Sequence, residues 1–244
     1  MSKFAVIIAA AGKGERFGGN ERKTLAKLDG RPVFLRAIEA FLNRPDVCQI
    51  ILAVAPEDMQ QIKTQYGPNL GFMGVKLVEG GTERTGSVAA GLKALAPEAE
   101  YVAVHDAARP CVSEDTINAV FAEAVKSGAA IPAARLTGTI KRVSGTMLVE
   151  ETASREGFFE AQTPQVFRKD VLVHAYERLG DRAAQVTDDA QVVEQAGGQV
   201  SVVPSSRSNL KITTSEDMTL AAAILKARPV KRAPRMGAFD EAQW

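Results

Sequence analysis

The chain has 244 residues, 45% hydrophobic and 24% charged, a length and balance that suit one large globular domain whose core needs no covalent staples. Lys and Arg total 30 against 29 Asp and Glu, so a net charge of +1 gives no bulk field toward nucleic acid or a membrane surface, and neither is an expected partner. Two cysteines with no CxxC spacing, and two histidines, argue against a disulfide framework and against most zinc or histidine-based metal centres.

The N-terminal run MSKFAVIIAAAGKG reaches a glycine loop too soon for a signal segment with its cleavage site. No stretch approaches about 18 consecutive apolar residues. The expected address is a reduced cytoplasm.

Phe4–Ala9 (FAVIIA) is a short apolar run before glycines, the pattern of a strand buried on both faces of a parallel sheet. Val33–Leu42 carries apolar residues at helical spacing behind Pro32. Gln49–Val54 predicts a second buried strand, Met59–Tyr66 a short helix, and Val75–Val78 a third strand ending at Gly80-Gly81. Arg84–Ala94 reads as a helix, Tyr101–His105 as a strand ending at Asp106, and Glu114–Ser127 as an amphipathic helix. This alternation predicts a doubly wound α/β sheet.

The rhythm then changes. Ala129–Ala133 is another apolar strand, but Thr137–Glu150 alternates around a Ser-Gly turn, as a β-hairpin does. Its polarity on both faces predicts an arm, about residues 135–160, leaving the body and packing on a second subunit. Helices over Arg168–Leu179, Asp188–Gln195 and Ser215–Lys226, and a strand over Val200–Val203, complete the pattern. A single domain is expected over 1–227, followed by a basic, Pro-containing mobile tail over 228–244.

The segment AAAGKGERFGGNERKT, Ala9–Thr24, nearly spells two phosphate loops. A dinucleotide fingerprint needs GxGxxG, and Phe17 stands at its third glycine. A Walker A loop needs GxxxxGK[ST], and Phe17 and Arg22 occupy both glycine positions. What remains is a strand, a turn of bare amides around Gly12 and Gly14, and two cations, Arg16 and Lys23. Main-chain amides wrap anions, and a loop with two cations suits a triphosphate. Read alone, it also fits a glycine-rich turn with solvated charges.

With the rest of the chain, this loop resembles the nucleotidyltransferases that join a sugar or polyol phosphate to a nucleoside triphosphate. More narrowly, the chain resembles the 2-C-methyl-D-erythritol 4-phosphate cytidylyltransferase family. The segments that carry the likeness are AAAGKGERF (Ala9–Phe17) with Lys23, GGTERTGSVAAGL (Gly80–Leu92), VHDAARPCV (Val104–Val112), SREGFFEAQTPQVF (Ser154–Phe167), TDDA (Thr187–Ala190) and NLKITTSEDM (Asn209–Met218). A ribitol 5-phosphate cytidylyltransferase shares most of them.

The resemblance implies a Rossmann-like nucleotidyltransferase fold with a dimerising β-arm. It also implies transfer of CMP from CTP to a polyol phosphate, with Mg²⁺ held mainly by the CTP phosphates. By matched position, Arg16, Lys23, Arg155 and Lys211 are the catalytic candidates, the first two as transition-state stabilisers. Ala10, Ala11, Gly12, Gly14, Gly80, Gly81, Ser87, Asp106 and Ala107 are the nucleotide-binding candidates. Arg109, Thr139, Arg155, Thr163 and Lys211 are the acceptor-binding candidates, and Arg109, Thr139 and Arg155 are expected to reach the site of a neighbouring subunit in a homodimer.

No direct metal ligand from the protein is implied, with Asp106 the one candidate, placed to hold a metal-bound water or the ribose. Asp106 also reads as a turn cap, and Ser87 as a contact at a helix start. His105 is expected to be a packed, hydrogen-bonded histidine and Cys111 a core residue. The chain departs from the family's pattern at Gly138, where the family carries Asp, and at Ser208, where it often carries an acid; both sit beside acceptor-binding candidates.

Overall fold

The computed structural model describes residues 2–11, 24–81 and 83–228. The first half contains β1 (Phe4–Ala9), β2 (Lys27–Leu28), β3 (Arg31–Pro32), α1 (Val33–Glu39), β4 (Val47–Val54), α2 (Pro56–Phe72), β5 (Val75–Glu79), α3 (Arg84–Lys93), β6 (Tyr101–Asp106) and α4 (Glu114–Ser127). The second half contains β7 (Ala129–Arg135), β8 (Ile140–Val143), β9 (Val149–Ala153), β10 (Phe159–Ala161), β11 (Gln165–Arg168), α5 (Lys169–Leu179), a 3-10 turn (Gly180–Gln185), α6 (Asp189–Gln195), β12 (Ser201–Pro204) and α7 (Ser215–Ala227).

β1 lies at the middle of an eight-stranded sheet, parallel to β4 on one side and β6 on the other. β5 extends the parallel part beyond β4. β11 runs antiparallel between β6 and β7, β10 continues along the same edge of β7, and β12 pairs in parallel with the other edge. The chain leaves β1 toward β4 and β5, then returns to place β6 on the opposite side. Strand order therefore reverses at β1 and β6, the place where sheets of this kind open a ligand crevice at their carboxyl edge.

Alternate residues of β1 serve two helical layers, as the period of a strand requires. Val6 and Ile8 pack with Phe34 and Ile38 of α1, Ile62 and Leu70 of α2, and Val120 and Phe121 of α4. Ile7 faces the other way, toward Val88 of α3, Leu172 and Tyr176 of α5, and Val192 of α6. At about 25 cal/mol per Å² of apolar surface removed from water, this two-sided burial is what makes an uninterrupted apolar run such as FAVIIA a central strand. α4 follows its sequence signals closely. Ser113 Oγ accepts from the Thr116 N–H at its start, and Gly128 takes a φ of 88° at its end.

The sequence reading errs at several elements, and α1 ends at Glu39 rather than Leu42. α2 is far longer than the predicted short helix, because Ile62 and Leu70 bury on the core and carry the helix through Gly67-Pro68. The strands β10 and β11 and the small β2–β3 ladder were not anticipated; each has only two to four residues and takes its conformation from its neighbours in space. The helix starting at Lys169 is one residue shorter, since Arg168 closes β11.

The predicted hairpin is present as β8 and β9, which among the described residues pair only with each other. Its turn is tied by the Ser144 hydroxyl, which accepts from the Leu148 N–H, and it carries Met147, Leu148 and Val149 exposed.

Candidate active site

Three backbone hydrogen bonds fix the floor of the crevice. Ala10 N–H donates to Ala53 O, Gly80 N–H to Val54 O, and Ala107 N–H to Ala9 O. The ends of β1, β4 and β6 and the segment after β5 are thereby held at one level, and the buried Ala10, Ala11 and Ala107 let main chain rather than side chain line it.

Gly80 and Gly81 lie over the first turn of α3. A Cβ on Gly80 would meet the Ser87 hydroxyl oxygen at 2.5 Å, so only glycine fits there. Ser87 is fully buried, and its hydroxyl donates toward Glu83 O at 3.1 Å and Gly81 O at 3.4 Å. It is the helix-start contact, and it shapes the Gly80–Gly81 backbone from beneath.

Asp106 is the centre of the charged part of the site. Its Oδ1 accepts from Arg84 Nε at 2.8 Å, and its Oδ2 lies 2.6 Å from the Lys211 ammonium and 3.9 Å from Arg109 Nε. Burial alone would raise the carboxyl, but the charges of Arg84, Lys211 and Arg109 outweigh it and hold Asp106 well below the usual carboxylate range. Arg84, Asp106, Arg109, Ala161, Gln162, Thr163, Gln165, Thr187, Asp188 and Lys211 surround a cavity of about 210 Å³.

Lys211 is brought there by the stretch before α7. Ile212 N–H donates to Ala108 O, and the Asp217 carboxylate takes the N–H groups of Thr213 and Thr214, with Thr214 and Asp217 forming a capping box.

Thr163 and His105 support the turn after Asp106. The Asp106 N–H donates to Thr163 Oγ1 at 3.0 Å. His105 Nε2 is 3.1 Å from the Arg109 carbonyl, which only accepts, so Nε2 carries the ring proton. Burial lowers the imidazole pKa to about 4, so the ring is neutral and Nδ1 accepts from the Thr163 hydroxyl at 2.9 Å. The Thr163 proton therefore points toward the His105 ring, while Thr163 itself lines the cavity. His105 is the packed histidine expected, edge-on to Phe41. Cys111 is buried and its thiol is pushed up to about 11 by burial, as a core residue.

Arg109 lines the same cavity. It is 5% exposed, and its Nη1 and Nη2 donate to Asn209 O at 2.7 Å and Ala161 O at 3.2 Å. Thr139 and Arg155 flank the hairpin, just before β8 and just after β9. Both are exposed, and Arg155 Nη1 donates to the Thr137 carbonyl. Arg155 lines a separate cavity of about 490 Å³ with Arg135, Thr137 and Phe158 at the hairpin's root, so one chain does not bring Arg155 and Lys211 to a common cavity.

Asp106 does not fit a direct metal role: Oδ1 is taken by Arg84 and Oδ2 by Lys211. Among the described residues, no group of three or more His, Cys, Asp or Glu side chains is placed to hold a metal ion. Gly12, Gly14, Arg16 and Lys23 lie outside the described residues, as does the tail beyond Arg228.

Arg84 and Asp189 are the residues that sequence reasoning missed. Arg84 opens α3 and bridges Asp106 to Asp189, whose side chain is fully buried. Tyr176 O–H donates to Asp189 Oδ1 at 2.7 Å, and Gln165 Oε1 accepts from the Asp189 and Ala190 N–H groups. Both residues sit inside matched segments, TERTGS and TDDA. An arginine at a helix start gave no charge signal, and only the tertiary fold shows that an acid faces it.

A family model described as 2-C-methyl-D-erythritol 4-phosphate cytidylyltransferase matches residues 4–227. A protein of that name from Rhodopirellula baltica is 43% identical, with 91% of this chain and 94% of the relative covered. Another of that name, from Pelotomaculum thermopropionicum, is 40% identical over 93% of this chain and 96% of the relative. Among solved structures, a 4-diphosphocytidyl-2C-methyl-D-erythritol synthase from Anaerococcus prevotii superposes with a TM-score of 0.77 at 32% identity, covering 92% of this chain and 99% of that one. A 2-C-methyl-D-erythritol 4-phosphate cytidylyltransferase from Thermus thermophilus gives a TM-score of 0.75 at 29% identity, covering 93% and 100%. With its parallel core, its helices on both faces and its cation-rich crevice at the switch point, the chain belongs to the 2-C-methyl-D-erythritol 4-phosphate cytidylyltransferase family and is a CTP-dependent nucleotidyltransferase.

Proposed function

We propose that the protein transfers the CMP group of CTP to 2-C-methyl-D-erythritol 4-phosphate, releasing pyrophosphate and giving 4-diphosphocytidyl-2-C-methyl-D-erythritol for isoprenoid precursor synthesis. The family match over residues 4–227 carries this reading. An oxygen of the acceptor phosphate attacks the α-phosphorus of CTP, a P–O bond forms, and the bond to the leaving pyrophosphate breaks in line. The acceptor phosphate is already anionic near neutral pH, so the step needs no general base. The obstacles are repulsion between two polyanions and charge gathering on the α-phosphoryl oxygens, and cations answer both.

In this reading Lys211, held by Asp106 at the mouth of the cavity, takes the acceptor phosphate. Its ammonium has three donors, so contact with Asp106 leaves others for substrate. Arg16 and Lys23 are assigned to the triphosphate by their place after β1. Gly80 and Gly81 offer main-chain groups to the cytosine. Mg²⁺ accompanying CTP would be held by the phosphate oxygens and would offset their charge, with Asp106 taken up by Arg84 and Lys211.

We assign the β8–β9 hairpin to a homodimer contact, on its exposed Met147, Leu148 and Val149 and on the exposed Thr139 and Arg155, which flank it. Arg155 then serves the acceptor of the neighbouring subunit, and Arg109 its own. The free cysteines Cys48 and Cys111 suit a reducing cytoplasm, and no helix of the described residues is long and apolar enough to cross a membrane.

Pyrophosphate release from CTP and Mg²⁺ is the test, measured with methylerythritol phosphate, with ribitol 5-phosphate and with no acceptor. Release that depends on methylerythritol phosphate supports the assignment. Equal release without acceptor sinks it, and preference for ribitol 5-phosphate moves the acceptor to the other polyol.

A further inference from the structure

The side-on edge of an arginine, its Nε and Nη2 hydrogens, normally closes as a fork on both oxygens of one carboxylate. In Arg84 that edge is divided. Nε reaches Asp106 Oδ1 at 2.8 Å, while Nη2 lies 2.7 Å from Asp189 Oδ2. The second contact is a close ion pair off the hydrogen-bond axis, since neither Nη2 nor Asp189 Oδ2 has an aligned partner. Asp189 is held to it from behind. Tyr176 O–H donates to its Oδ1, and Gln165 takes its main-chain N–H. The oxygen of Asp106 that Arg84 leaves unclaimed is the one 2.6 Å from Lys211.

We infer that Asp189 is a positioning residue for the acceptor site: by holding one arm of Arg84, it stops that arginine from closing on both oxygens of Asp106 and so reserves Oδ2 for Lys211. Asp189 touches no substrate in this scheme. It acts through Arg84 and Asp106. The inference rests on the reading of Lys211 as the acceptor's cation.

Asp189→Asn tests it. The tyrosine hydroxyl keeps the amide oxygen, and an NH₂ that cannot accept faces Arg84. Arg84 is then expected to close on Asp106 and expel Lys211. The KM for methylerythritol phosphate should rise about tenfold, while the KM for CTP moves less than about threefold. Adding Arg84→Gln removes the fork itself, so D189N/R84Q should recover an acceptor KM within about threefold of the parent. A merely structural Asp189 predicts the reverse, with the double variant no better than the single one. That result overturns the proposal, also where D189N alone folds too poorly to assay.

A crystal structure of D189N reads the same event without kinetics. Arg84 on both Asp106 oxygens, with Lys211 beyond hydrogen-bond distance, supports the proposal; an undisturbed Lys211–Asp106 pair overturns it. Lys211→Ala separates the two claims. If that change leaves the acceptor KM unaltered, the reading of Lys211 is wrong, and the crystal structure still decides the role of Asp189.

Discussion

The Lys211 ammonium lies 2.6 Å from Asp106 Oδ2, although Lys211 comes from the stretch before α7 and Asp106 from the end of β6. The Asp106 carboxylate is nearly buried, whereas the Lys211 side chain is 37% exposed. A buried anion thus tethers a half-exposed cation at the cavity mouth, and the cation keeps donors for a ligand.

Replacing the tether should disable the site. Asp106→Asn leaves Arg84, Arg109 and Lys211 clustered without their shared counter-charge. We expect kcat/KM for the acceptor to fall about a hundredfold, and the melting temperature to drop, since breaking a buried ion pair costs about 3–5 kcal/mol. Steady-state pyrophosphate release and calorimetry check the two effects. Unchanged kcat/KM would remove Asp106 from the site.

Stability should fall in mild acid before most carboxylates titrate. The His105 pKa is lowered to about 4 in the folded protein against 6.5 for a free histidine. A depressed folded value means that the unfolded chain binds the proton first. The stability held by neutral His105 is complete above pH 6.5 and is lost as pH falls toward 4. Its full size is on the order of 3 kcal/mol at 1.36 kcal/mol per pH unit. Urea unfolding from pH 7 to 4.5 measures it, and His105→Gln should flatten that slope. An equal slope in the variant would place the acid sensitivity elsewhere.

If the hairpin serves a neighbour, two defective proteins should complement each other. Arg155→Ala and Lys211→Ala are each expected to be nearly inactive. Co-refolded one to one, half of the resulting dimers are mixed, and each mixed dimer contains one site with both native residues, so activity should recover to about a quarter of the parent. No recovery, in a mixture shown by mass spectrometry to contain mixed dimers, would put Arg155 in its own chain's site or outside catalysis.

Arg16→Ala and Lys23→Ala should each lower kcat about a hundredfold or more, as loss of one transition-state donor does elsewhere. Single-turnover assays at saturating CTP isolate that step. A variant that raises only the KM for CTP would make its residue a binding cation and not a transition-state one.

The buried strands were legible because a run such as FAVIIA or QIILAV has few other places to go in water. Helix α4 was legible because Ser113 and Gly128 mark its ends. Helix α2 was under-read because Gly67-Pro68 looks like a stop, and only the packing of Ile62 and Leu70 outweighs it. Asp106 and Lys211 were legible as candidates through matched motifs, but their pairing was not, and Arg84 and Asp189 passed unnoticed.

Local chemistry along the chain set what the residue order alone determines here: buried strands alternating with amphipathic helices, a cation-bearing loop after the first strand, and a hairpin that leaves the body. The tertiary structure decided which charges meet. Burial then made those meetings strong, because a carboxylate removed from water must find cations, and Asp106 found Arg84 and Lys211 from distant parts of the sequence beside its near neighbour Arg109. It also decided where the Thr163 hydroxyl points, since its partner His105 stands beside it only in the folded chain.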